Sequence, residues 1–103
     1  MDIQYSTNSS DRSLLVKISG DCDMYNVKDF YNGVTEKMSP GCLNLCIDFS
    51  DVIYLDSSGV GAIIKILRLS KEKEINLKFR GITGTPRKIL RMSNILGLIV
   101  EET

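Results

Sequence analysis

Histidine is absent from the 103 residues. The side chain that most often shuttles protons near neutral pH and most often ligates metals is therefore missing. This removes most enzyme mechanisms, and neither a metal-ligand set nor a catalytic residue can be nominated. Net charge is absent as well, because 13 lysines and arginines balance 13 aspartates and glutamates. With no bulk positive field, nucleic acid and anionic membranes are poor candidates as partners. Long apolar runs are also missing. The stretch from Gly59 to Leu69 is interrupted by Lys65 and Arg68, short of the roughly 20 residues that a membrane helix needs. The opening Met1-Asp2-Ile3-Gln4 lacks the positive-then-apolar order of a secretory leader. A cytoplasmic protein without a membrane partner is expected.

Cysteine is scarce, and its three positions, Cys22, Cys42 and Cys46, do not form a secreted disulfide framework. Cys42 and Cys46 lie four positions apart in an apolar segment that reads as a strand. At the rise of a strand they are separated by about 13 Å, too far to share a disulfide or a metal. Both read as small buried hydrophobes.

What is present is an ordinary globular composition, 43% hydrophobic and 25% charged, which argues against disorder. The length suits one compact domain, residues 1–103, with one core and one site. No linker, repeat or low-complexity tract divides the chain.

Ile3-Gln4-Tyr5 and Leu14-Leu15-Val16-Lys17-Ile18 predict two antiparallel strands, joined by the polar loop Ser6 to Arg12. Gly20 to Asp23 reads as a turn. Val27, Phe30, Tyr31, Val34 and Met38 share one helical face, with Asn26 as N-cap and Pro40-Gly41 as terminator. Leu43 to Phe49 predicts a central strand, and Ser50 to Asp56 a connection. Val60, Ile63, Ile64 and Leu67, widened by Ile66 and Leu69, predict a second helix that ends at the charged run Lys71 to Glu74. Ile75 to Phe79 alternates as a strand. Thr85-Pro86 predicts the start of a third helix carrying Ile89, Leu90, Met92 and Leu96, and Leu98-Ile99-Val100 a last strand. The expected fold class is α/β, a mixed sheet of about five strands with crossover helices packed mainly on one face.

The chemistry concentrates in Asp56-Ser57-Ser58-Gly59-Val60-Gly61, where the central strand gives way to the second helix. Unpaired N–H groups and the helix dipole favour an anion there, and two glycines allow another backbone or a phosphate to approach. Read as structure alone, the same residues make a capped turn in which Asp56, Ser57 or Ser58 caps and the glycines permit packing. The two readings stand level on chemistry. Competing motifs fail at specific residues. Gly59-Val60-Gly61-Ala62-Ile63-Ile64 has Ile64 where a dinucleotide loop has its third glycine, and no G-x-x-x-x-G-K-[ST] occurs. A nucleophile elbow lacks both its preceding glycine and a histidine base. Asp48 stands without the acidic pair of a response-regulator receiver.

The run Ile47-Asp48-Phe49-Ser50-Asp51-Val52-Ile53-Tyr54-Leu55-Asp56-Ser57-Ser58-Gly59-Val60-Gly61 resembles the signature of STAS domains, especially bacterial anti-sigma factor antagonists. Gly20-Asp21-Cys22-Asp23 resembles the family's Gly-Glu-x-Asp turn, with Asp21 in place of glutamate. Arg91-Met92-Ser93-Asn94-Ile95-Leu96-Gly97-Leu98 resembles its last characteristic segment. The likeness spans nearly the whole chain, although many relatives continue into another helix beyond the position of Thr103.

The resemblance implies a single STAS domain that acts as a partner switch and is a kinase substrate rather than a catalyst. Its unphosphorylated form would bind an anti-sigma factor that is also a serine kinase, freeing the sigma factor. Phosphorylation would abolish binding, and a serine phosphatase would restore it. The phosphoacceptor maps onto Ser57, with Ser58 as second choice. Asp23, Asp56, Ser57, Ser58, Gly59, Val60 and Gly61 would face the partner, and the antagonist would be a monomer or weak dimer. The family also includes scaffold subunits of sensory complexes and accessory subunits of membrane transporters. Arg80, Arg87, Lys88 and Arg91 either meet the phosphates of a kinase-bound nucleotide or form a solvated face. Tyr25 and Tyr54 read as interface anchors or half-buried packing. Met24, Met38 and Met92 read as core fillers or one exposed contact.

Overall fold

The computed structural model describes residues 1–38 and 41–102. Four strands lie in the order β1-β2-β3-β4. These are β1 (Asp2–Asn8), β2 (Ser13–Cys22), β3 (Asn44–Leu55) and β4 (Asn76–Arg80), with helices α1 (Val27–Lys37), α2 (Ser57–Glu72) and α3 (Gly84–Met92) between and after them. β1 and β2 form an antiparallel hairpin in register from Asp2↔Ser19 to Asn8↔Ser13. The predicted loop thus shortens to four residues, in which Asn8 Oδ1 accepts from the amide and hydroxyl of Ser10. β3 is parallel to both β2 and β4.

Parallel neighbours require crossovers, and two crossovers of one hand stepping the same way across a sheet place their helices on the same face. Residue burial follows that rule. Leu14, Val16 and Ile18 of β2, Leu45, Ile47 and Phe49 of β3, and Leu77 and Phe79 of β4 are buried with Phe30 and Val34 of α1, Ile63 and Ile66 of α2, and Leu90 of α3 in one core. Phe49 and Phe79 meet edge to face with centroids 5.5 Å apart. The alternate positions Asn44, Cys46, Lys78 and Arg80 lie on the opposite, more polar face and line an open depression.

Several sequence expectations change. β3 does not stop at Phe49, and β2 runs through the predicted turn at Gly20, because two irregularities let the pair continue. Lys17↔Asp48 is followed by Ser19↔Asp51, and Gly20↔Val52 by Asp21↔Tyr54. Each gives β3 one extra residue, and such bulges break the alternation that sequence reading relies on. Val52 and Leu55 remain buried. The fifth strand reduces to one parallel bridge, Phe79↔Glu101. Leu96–Leu98 instead wind into a 3-10 turn, with the Leu98 amide on the Ile95 carbonyl at 2.8 Å.

Helix α3 opens at Gly84 with Thr83 preceding it, so Pro86 sits third rather than first. Any first-turn position tolerates proline, because amides there lack intrahelical partners. Leu96 falls outside that helix. Helix α1 begins after Asn26 as expected, but the Asn26 side chain makes no cap bond. Pro40 lies outside the described residues.

Asp48 is the buried carboxylate of β3. Its Oδ1 accepts from the Ser50 amide at 2.8 Å, and its Oδ2 accepts from Arg80 Nε at 3.2 Å. Burial pushes its pKa up, but the Ser50 bonds and Arg80 outweigh that and hold it below the ordinary value. Arg87 pairs with Glu101 at 2.7 Å. Two of the four clustered basic residues are thus tied into the fold, against their service as nucleotide-phosphate ligands, while Lys88 and Arg91 are exposed.

Because the folded pKa of Asp48 lies below its unfolded value of about 3.9, its contribution is complete above that pH and is lost as pH falls through the folded value. Urea titrations from pH 7 to pH 3 should show stability falling at the acid end. Arg80→Ala should lower stability only slightly at pH 7, since the guanidinium is partly exposed and screened, and should flatten the acid limb. An unchanged acid limb in that variant would contradict the pairing.

Candidate functional site

Because β2 and β3 are parallel, Cys22 and Leu55 end side by side as their last register pair. The β2–α1 loop and the entrance to α2 therefore meet at one corner, at the carboxyl ends of the strands. The Asp56 amide donates to the Cys22 carbonyl at 3.2 Å, closing the corner.

Asp56 is the N-cap of α2 in extended conformation. Its Oδ1 accepts from the Ser58 amide at 2.9 Å and the Gly59 amide at 3.1 Å. This satisfies two of the amides that a helix start leaves unpaired. Its Oδ2 accepts from the Met24 amide across the corner at 3.0 Å. Of the three candidate caps only Asp56 caps, which leaves Ser57 exposed in the first helical position. Ser58 is half-buried and lines a small cleft between α1 and α2 with Val27, Tyr31, Gly61 and Lys65.

The two glycines differ. A Cβ on Gly59 would collide with the Leu55 side chain and lie 2.8 Å from the Cys22 carbonyl oxygen, whereas one on Gly61 would meet nothing within 4 Å. Gly59 is required by close packing of helix against strand, and Gly61 leaves open space at the cleft. Gly59 and Val60 are buried. The sequence-derived site residues that remain reachable are Asp23, Asp56, Ser57, Ser58 and Gly61.

Asp23 is half-buried in the neighbouring loop, where its Oδ1 accepts from the Tyr25 amide at 2.9 Å. Met24 and Tyr25 are 65% and 89% exposed. Ile53 and Tyr54, at the same ends of the strands, are also exposed. Ile53 carries no surface signal in the sequence, and where one exposed methionine was allowed for, two are exposed, Met24 and Met92. Large apolar side chains pattern as core, and only the tertiary arrangement turns them outward. Met38 is buried as expected, whereas Met92 is exposed like Met24.

Burial raises the thiol pKa of all three cysteines. Burial, followed by the Asp56 and Asp23 charges, pushes the Cys22 thiol up to about 12, so it is a neutral packing group. Burial and Glu102 push Cys46 up to about 11, and its thiol donates to Glu102 at 3.2 Å. Cys42 and Cys46 are half-buried rather than fully buried. Among the described residues no group of three or more Cys, Asp or Glu side chains could hold a metal ion, and no helix is long and apolar enough to cross a membrane.

Fold and corner together define a class: small mixed α/β domains with an accessible serine where a helix leaves the carboxyl ends of parallel strands. Residues 4–103 match the STAS domain, and the chain belongs to that family. It is 26% identical over 98 residues to an anti-sigma-B factor antagonist of Staphylococcus aureus (strain NCTC 8325 / PS 47), covering 95% of this chain and 88% of the relative. The fold is similar to the anti-sigma factor antagonist SpoIIAA in its unphosphorylated form, with a TM-score of 0.81 at 17% identity over 99% of this chain and 89% of that one. The Bacillus cell fate determinant SpoIIAA in the phosphorylated form gives 0.75 at 16% identity, over 99% and 92%.

The contrast between the glycines can be measured. Gly59→Ala should destabilise the protein by about 1–3 kcal/mol through overpacking. Gly61→Ala should leave stability unchanged or raise it by up to about 1 kcal/mol through helix propensity. Equal losses in urea denaturation would show that Gly59 is not held by close approach.

Proposed function

We propose that this chain acts as a single-domain cytoplasmic anti-sigma factor antagonist that is regulated as a substrate and does not catalyse a reaction itself. Its unphosphorylated form binds an anti-sigma factor with serine kinase activity and frees the sigma factor, and phosphorylation of Ser57 ends that binding. A serine phosphatase resets the cycle, and the antagonist works as a monomer or weak dimer. The observation that carries this reading is the exposure of Ser57 in the first turn of α2, directly beside a carboxylate anchored at the docking corner. A kinase active site can reach such a hydroxyl without unfolding the helix. Ser58 is less accessible, turned into the α1–α2 cleft, which favours Ser57 as acceptor.

Phosphorylation adds about −1.5 to −2 charge at pH 7. The fold tolerates it, because a helix N-terminus favours anions. A docked partner does not, because the phosphate would be buried beside Asp56, and near Asp23, at the cost of desolvation and like-charge repulsion. Disfavouring the complex by about 3 kcal/mol weakens it more than a hundredfold. The switch is then local, with little change in backbone.

The decisive experiment incubates the protein with each anti-sigma factor kinase encoded in the same genome and ATP, and maps the modified residue. Ser57→Ala should abolish labelling. Ser57→Asp should weaken binding about tenfold or more, aspartate carrying less charge than phosphate. Equal labelling of Ser57→Ala and the parent would exclude Ser57 as the acceptor.

A further inference from the structure

Every main-chain N–H from Asp23 to Val27 is hydrogen-bonded within the protein. The Asp23 amide donates to Asn26 Oδ1 at 2.9 Å, Met24 to Asp56 Oδ2 at 3.0 Å and Tyr25 to Asp23 Oδ1 at 2.9 Å. The Asn26 and Val27 amides both donate to the Asp23 carbonyl, at 3.2 and 2.9 Å. Asn26 Nδ2 adds a bond to the Asp21 carbonyl at 2.7 Å. Surface loops ordinarily leave many such groups to water. Here every amide of the four-residue loop and the first amide of α1 is tied down, yet the side chains at the loop's tip add nothing to the core, for Met24 and Tyr25 are exposed.

A rigid loop that presents two bare, large apolar side chains has already given up the conformational freedom that docking would otherwise cost. Tyrosine is enriched at binding hot spots, and methionine is an adaptable gap filler. All but one of the five amides are held by acceptors on Asp23 or Asn26 within the loop. The exception is Met24, whose acceptor is the second oxygen of the carboxylate that caps α2 and precedes Ser57. The tip of the loop and the modifiable helix entrance thus hang on one side chain.

We propose that Asp56 is a positioning residue that locks Met24 and Tyr25 as paired anchors, seated in an apolar pocket of the same protein that docks over Ser57. This rests on the reading that a protein partner docks at Ser57. Continuity of the two surfaces through Asp56 assigns the anchors to that partner rather than to a second copy of the chain. The affinity of the complex then depends on loop order as well as on charge at Ser57.

Asp56→Asn separates the two jobs of the carboxylate. Asparagine caps helices about as well as aspartate, but it has one carbonyl oxygen, so a side chain that still caps turns its NH2 toward the Met24 N–H. Amide hydrogen exchange by NMR should show Met24 exchanging at least tenfold faster in Asp56→Asn, with thermal unfolding and the amides of α2 little changed. Exchange at Met24 equal to that of the parent would overturn the positioning role, whatever the partner does. Tyr25→Ala should melt like the parent and bind the anti-sigma factor kinase about ten- to hundredfold more weakly, and Met24→Ala should weaken binding by a smaller factor. Tyr25→Phe should recover most of the affinity.

If both alanine variants bind within twofold of the parent while Ser57 is still phosphorylated, the anchors are wrong and the antagonist function stands. If those variants instead lose self-association in sedimentation velocity with affinity intact, the occupant is a second copy and the inference falls. A parent chain that no anti-sigma factor kinase binds or labels defeats both the antagonist function and the anchors, leaving exchange at Met24 to judge Asp56 alone.

Discussion

The parallel pairing of β2 with β3, carried to the last residue of both strands, is the constraint on which the rest depends. Parallel strands share a direction, so whatever follows each of them emerges at the same edge. Had the pair ended at Lys17↔Asp48, the Asp23 loop and the α2 entrance would have been left to find each other through flexible chain. The two bulges prevent this. They extend the ladder to Cys22↔Leu55 and deliver two turns, 33 residues apart in sequence by position number (Asp23 and Asp56), into hydrogen-bonding contact.

At that contact a single carboxylate carries out three tasks. It caps the helix, holds the neighbouring loop and places negative charge beside Ser57. An anion costs little there while it receives three amide N–H groups. With the Ser58 and Gly59 amides already engaged, a phosphate on Ser57 would find part of the anion-binding capacity of the helix start taken. It would stand outward, into solvent. Gly59 belongs to the same construction, because α2 can start this close to Leu55 and Cys22 only where no Cβ intervenes.

The distal side of the molecule is organised differently. The polar sheet face and the C-terminal segment are tied by Arg80 to Asp48 and by Arg87 to Glu101. Phe79 holds Val100 and Glu102 through its backbone. The basic residues that looked available for phosphate in the sequence are partly spent on these ties. The corner at the α2 entrance, by contrast, is rich in acidic and apolar groups, so a chain of zero net charge still presents a distinct local surface.

How much was legible follows from which interactions are local. Helix α2 could be read directly, since Val60, Ile63, Ile64 and Leu67 repeat at helical spacing. The cores of β2, β3 and β4 could be read from apolar runs, and the place of Asp56 to Gly61 at a helix start from residue types that suit one. The continuation of β3 through Ser50 to Leu55 was hidden, because bulges and polar residues erase periodicity. The start of α3 slipped because proline suits any first-turn position, and the last strand shrank because a 3-10 turn used its residues.

The sequence by itself determined the fold class, the order of the elements and the place of the serine, because each of these follows from short-range pattern and turn chemistry. Tertiary structure alone decided which of the three candidate caps closes α2, that Ser57 faces solvent while Val60 turns inward, and that Met24 and Tyr25 share a corner with Asp56. Those outcomes depend on burial and on hydrogen bonds that link Asp56 to Cys22 and Met24 far away in the chain, and no local spacing encodes them.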